Sequence, residues 1–300
     1  MKWTARLKSD PNYSWGIVTL ISIYGAYAAL NICRTTVIIS SPAMLDDLEL
    51  GLNKTMWGAI LGWGTAGTLV GKLTTGILAD RFGGRRVFLI SIVFCLLATS
   101  IFGISSKVFF FSAAFFIAMF AKSAGWPCMA NLIRSWFQKN WRGRIWGVLS
   151  SSSMSSSLFT SLIMGSLLLI LSWRWVIVSS LPIAGILCIV LFFYLKQSPT
   201  DVGLRAMPSV DGDDDSNDPR NSHHLDDATL GEALISFIKS SRFWLICTSI
   251  MCLTILMAFQ NFLPIYLKEI FHLSSGKAGI ASSAFPLGSM FSVLLGGFIF

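Results

Sequence analysis

The sequence predicts an all-α protein that threads a membrane several times. Its 300 residues are 54% hydrophobic and only 13% charged, about half the charged fraction of an ordinary soluble domain. The apolar residues gather in runs of roughly twenty, the length that crosses a bilayer core as a helix. Eleven Trp and 23 Phe suit interfacial belts and lipid-facing surfaces. The net charge of +8 does not form one patch, so a nucleic-acid partner is not expected. The basic residues sit in short clusters between apolar runs, the signature of membrane topology.

Taken in order, residues 1–14 carry Lys2, Arg6 and Lys8 and read as a cytoplasmic N-terminus. Spans follow near 15–43, 56–79, 87–105, 108–133, 145–171 and 174–195, making residues 15–195 an N-terminal six-helix bundle. The first run is too long for a cleaved signal segment. Residues 196–241 read as a cytoplasmic linker. Its part "DVGLRAMPSVDGDDDSNDPRNSHHLDD" is too polar to bury a core, and it lacks the spacing of a calcium loop. Residues 229–241 are expected to form an interfacial helix. Residues 242–300 read as the start of a second bundle, with spans near 243–267 and 278–300. Gly288 and Gly297 repeat the spacing of Gly67 and Gly76, and the second copy is expected to be cut short inside the eighth span.

Charge sorts the loops. One side holds Arg81, Arg85, Arg86, Arg134, Lys139, Arg142, Arg144, Lys196 and Lys239, whereas the other holds Lys54, Lys107, Arg174, Lys268 and Lys277. The excess places the N-terminus in the cytoplasm. The membrane itself, a bacterial inner membrane or a eukaryotic one, stays open.

Three cations lie within spans: Arg34, Lys72 and Lys122. No Asp or Glu lies well inside any span, and Asp80 ends one. A mid-membrane charge costs several kcal/mol unless a cavity, water or counter-ion receives it. Helical spacing puts Tyr24, Tyr27, Asn31, Arg34 and Thr35 on one arc, and Thr65, Thr68, Lys72 and Thr75 on another. The interior is therefore expected to hold an anion, with Lys72 buried about 12 Å of helix rise from Asp80. Snorkelling to an interface is the competing reading. The run "SSSSMSSS" (Ser150–Ser157) serves either helix packing or a polar wall. The six cysteines lie in apolar segments without metal-ligand spacing. No nucleophile–base, paired-carboxylate or metal set is visible, so neither an enzyme nor a cofactor is expected.

The motif "GILADRFGGRR", with Gly76, Asp80, Arg81, Gly83, Arg85 and Arg86, resembles the loop between the second and third helices of the major facilitator superfamily. Gly84 stands at a usually basic position. The resemblance implies a twelve-helix fold of which about eight spans are present, acting as a monomer, with this loop as a conformational gate. The blocks "AGWPCMANLIRSWF" (124–137), "RGRIWGVLS" (142–150), "SWRWV" (172–176) and "SPTDVGLR" (198–205) resemble the organophosphate:phosphate antiporters. That resemblance implies phosphate contacts at Arg34 and Lys72. It also shows departures: Ser153 replaces a His, Leu256 stands where a seventh-helix cation belongs, and Lys122 occupies a usual Gln position. The function expected is exchange of a phosphorylated metabolite against phosphate by alternating access. A transporter-like anion sensor and a carrier of a carboxylate or drug-like substrate are the alternatives.

Overall fold

The computed structural model describes residues 11–204 and 238–299. Residues 1–10, the acidic stretch with His223 and His224, and residues 229–237 of the expected interfacial helix lie outside the described residues. The described regular elements are helical: α1 (Pro11–Asp46), α2 (Lys54–Phe82), α3 (Gly84–Ile104), α4 (Val108–Ser123), α5 (Gly125–Trp136), α6 (Lys139–Leu167), α7 (Trp173–Tyr194), α8 (Ser241–Ala258), α9 (Leu263–Phe271), α10 (Ser275–Ala281) and α11 (Ala284–Ile299), with 3₁₀ turns at Pro199–Val202 and Phe259–Asn261. The all-α membrane architecture expected from the sequence is the observed one. The fourth and eighth expected spans are each divided, at Ala124 and near Ser282.

Among the described residues, five stretches are long and apolar enough to cross a membrane: Ser14–Asp46, Gly84–Ile104, Val108–Trp136, Trp173–Tyr194 and Ser241–Asn261. Helices α2 and α6 have the length, at 29 residues each, but Gly and Thr in one and Ser in the other dilute their apolarity. Apolar side chains on α3 stay exposed in a helical stripe, Ile90, Phe94, Leu97, Ile101 and Ile104. An apolar stripe of that length facing outward is what lipid contact requires.

Contacts divide the chain into residues 1–207 with 264–300, and residues 208–263. In the first unit α1 packs against α6 and α7, while α2 packs along α4. Two apolar clusters follow one another along α1. One gathers Ile23, Tyr27, Leu30, Cys128 and Met129; the other gathers Val37, Met44, Trp57, Phe102, Phe115 and Ile265. A Cβ on Gly67 would overlap the Phe116 carbonyl, so the glycine lets α2 lie directly on the α4 backbone. Gly58 and Gly62, on the same helix, face open space. Residues 264–300 join the first unit through small-residue contacts and charge. A Cβ on Gly276 would come 2.9 Å from the Gly165 carbonyl oxygen. Lys268 pairs with Asp46 and also donates to the Pro42 carbonyl at 3.1 Å. Lys54 pairs with Glu269 at 2.7 Å.

In the second unit α8 is the principal described helix. The Trp244 indole donates to the Ile238 carbonyl at 2.7 Å, holding the turn that leads into it.

Candidate functional site

Helices α1 and α2 both reach the junction of α4 and α5. Ser123, at the end of α4, touches Gly71 of α2, and Gly125, at the start of α5, would place a Cβ 2.7 Å from the Tyr27 ring of α1. Lys122 is thereby fixed at the level where α1 and α2 both reach α4. It is half-buried, and its Nζ lies 5.7 Å from the centre of the Tyr27 ring, in cation–π range. Tyr27 is buried, stands edge-on to Trp126 with ring centres 5.7 Å apart, and its hydroxyl interacts with Ser153 and Trp126. Arg34 and Lys72 both lie within electrostatic reach of Tyr27 and of Lys122. Of the expected residues the structure brings Tyr27 and Lys122 into contact, with Arg34 and Lys72 acting on them at longer range.

Lys72 differs from expectation in one respect: it is exposed. Helix α2 buries a single stripe, Trp57, Ile60, Leu61, Gly64, Gly67, Gly71, Thr75 and Ala79. Lys72 follows Gly71 by one position, about 100° around the helix, and so leaves that stripe. Thr65 and Thr68, expected beside it, return their hydroxyls to the Leu61 and Gly64 carbonyls of their own helix.

Asn31 and Tyr24 are committed elsewhere. The Asn31 amide nitrogen donates to the Ser157 hydroxyl at 2.7 Å and reaches the Ser153 carbonyl and Ser156 hydroxyl at 2.9 Å. It ties α1 to α6. The Tyr24 hydroxyl is 3.5 Å from Ser151, and the ring lines a cleft with Ile32, Ser155, Phe159 and Thr160. The serine run is mainly a packing surface. Ser152 and Ser156 are buried and bond to carbonyls one turn back. The sequence marked the run as unusual, but the amide that reads it lies more than a hundred residues away.

The expected gate loop is built around Gly83, whose φ of +85° lets the chain leave α2 and enter α3 without a linker. Arg85 bonds the carbonyls of Leu195 and Phe192, the latter at 2.8 Å, closing the C-terminal end of α7. The Arg85 amide donates to Gln197 at 2.8 Å, the Gln197 side chain donates to Asn131 at 2.8 Å, and Gly84 donates to the same Asn131 oxygen at 3.1 Å. Sequence reasoning did not single out Asn131 or Gln197; Asn131 sits within one family-like block and Gln197 directly precedes another, but neither carries a charge pattern. A capping box of Ser198 and Asp201 folds the next turn, so residues 196–204 are structured against the helix ends. Asp80, Arg81 and Arg86 are exposed, and Gly76 faces open space.

Among the described residues no group of His, Cys, Asp or Glu could hold a metal ion. The arrangement is one of cations and hydrogen-bond donors around an aromatic ring, which suits the binding of an anion.

A family model described as Major Facilitator Superfamily matches residues 17–300. The "Probable hexose phosphate transport protein" of Chlamydia muridarum is 25% identical over 95% of this chain and 64% of its own length. The "Glucose-6-phosphate exchanger SLC37A2" of Bos taurus is 24% identical over 77% of this chain and 52% of its own. Among solved structures, a bacterial homologue of the human lysosomal transporter Spinster, inward-facing and unoccupied, aligns with a TM-score of 0.69 at 17% identity. That alignment covers 97% of this chain and 63% of the other. The chain therefore spans less than two thirds of these relatives.

Proposed function

This chain belongs to the Major Facilitator Superfamily, and we propose that it carries a phosphorylated metabolite across a membrane in exchange for phosphate, by alternating access. The observation that carries this reading is the Lys122–Tyr27 contact, with Arg34 and Lys72, from two further helices, within electrostatic reach of both. An anion held there neutralises charge that the bilayer would otherwise penalise. Arg34 offers a planar two-pronged donor and Lys72 and Lys122 offer point charges, a combination that suits a phosphoryl group. The relatives named for hexose phosphate and glucose 6-phosphate support the phosphorylated class. In this reading Tyr24 and Asn31 hold the α1–α6 wall of the site. Alternating access in this reading has the substrate bound near the middle of the membrane.

The loop of Gly76, Asp80, Arg81, Gly83, Arg85 and Arg86 acts as the gate. Arg85 anchors it to α7, while exposed Asp80 and Arg81 are free to engage the ends of the other half. The basic loops support a cytoplasmic position for it and for the N-terminus, and in this reading the carrier works as a monomer in the bilayer.

Ligand-dependent thermal stabilisation of the purified chain tests the reading. Inorganic phosphate or a sugar phosphate should raise the melting temperature, and Lys72→Ala should remove the shift. A shift with carboxylates alone would move the protein outside the phosphate class.

A further inference from the structure

We propose that Lys122 makes this site select a phosphate monoester over singly charged phosphodiesters and carboxylates. The inference rests on Arg34 and Lys72 being anion contacts, and it assigns the third cation a distinct task.

The placement of Lys122 is specific. It precedes Ser123, which touches Gly71 of α2, and lies three residues before Gly125, which touches Tyr27 of α1. A lysine on a membrane helix can extend its stem towards the interface. Lys122 instead lies half-buried inside the bundle with its ammonium group 5.7 Å from the Tyr27 ring centre. Arg34 and Lys72 act on it with like charge, and Cys95 of α3 is the further titratable group facing it. Helices α3, α4 and α5 contain no Asp or Glu, and α1 and α2 carry theirs only near their ends, at Asp46 and Asp80. No carboxylate side chain of these five helices stands at the level of Lys122, and an aromatic face offsets only a fraction of one ammonium charge.

Charge and oxygen count then discriminate between ligands. A phosphate monoester carries about −1.5 to −2 near neutral pH and offers three terminal oxygens. A phosphodiester or carboxylate carries one charge and offers two. Three cations on three helices match the monoester, and a singly charged ligand leaves like charges facing one another across the site.

Calorimetric titration of the full chain in detergent tests this, with glucose 6-phosphate and its O-methyl phosphodiester as probes. The wild type should bind the monoester at least about tenfold tighter. Lys122→Gln should weaken monoester binding by about tenfold or more and leave diester binding within about threefold. Lys122→Arg should keep the preference. Equal affinity of the wild type for the two probes overturns the proposal, whatever the variants do. A preference that survives in Lys122→Gln also overturns it; if Arg34→Ala then loses both ligands, the anion site itself stands. Failure of the wild type to bind either probe, or unchanged binding in Arg34→Ala, brings down both the selector and the anion site.

Discussion

Ser123 of α4 lies against Gly71 of α2 so closely that a Cβ on the glycine would overlap the serine Oγ and stand 2.7 Å from the Phe120 carbonyl oxygen. This contact sets the distance between two of the helices that bring cations to the site. Gly71→Val should therefore force α2 away from α4 and destabilise the bundle by about 1–3 kcal/mol, the usual range for overpacking. Gly58→Ala, on the same helix but facing open space, should be neutral or stabilise by up to about 1 kcal/mol through helix propensity. Thermal unfolding of the two variants in detergent distinguishes them.

Asn31 is assigned to structure more than to ligand. Asn31→Ala removes the donor shared by Ser153, Ser156 and Ser157, and should cost about 1–3 kcal/mol of stability. Ligand affinity at temperatures where the variant is folded should fall much less than in Arg34→Ala. An unshifted unfolding midpoint together with lost binding would reverse the assignment.

Arg85 and Arg86 are neighbours with different work. Arg85→Ala loses bonds to two carbonyls at the end of α7 and should destabilise by about 1.5–3 kcal/mol, the range for charged hydrogen bonds. Arg85→Lys should recover little, because an ammonium group cannot span two acceptors as a guanidinium does. Arg86→Ala, at an exposed position, should stay within about 0.5 kcal/mol. Unfolding midpoints of the three variants check this ordering.

The two ion pairs that tie the α9 region to α1 and α2 should also differ. Lys54 and Glu269 are both well exposed, at 66% and 47%, and a double-mutant cycle should give a coupling of about 0.2–1 kcal/mol that fades with salt. Lys268, at 21% exposure, engages Asp46 and the Pro42 carbonyl, and its truncation should cost more than that of Lys54.

Much of this architecture is legible in the residues. Apolar run lengths gave the helices, and Lys122 declared itself by being a cation inside an apolar segment. Gly83 and the charges around it located the α2–α3 loop. What escaped has a common physical cause: periodicity says which residues share a face, but not what lies opposite that face. Spacing puts Tyr24, Tyr27, Asn31 and Arg34 on one arc, yet Asn31 spends its donors on serines of α6 while Tyr27 meets Lys122. Lys72 was expected to be buried because it lies deep along α2, but burial depends on the neighbouring helix, and α2 covers only its Gly71 side. Arg85 read as one charge of a gate motif, and its bond to the end of α7 joins positions 110 residues apart.

The central claim is that the cations of α1 and α2 bind a phosphoryl group. The most direct measurement is calorimetric titration of glucose 6-phosphate into the purified chain and into Arg34→Ala and Lys72→Ala. Each variant should unfold near the wild-type temperature and bind at least about a hundredfold more weakly, a loss of about 2.7 kcal/mol. Wild-type affinity in both variants would contradict the account.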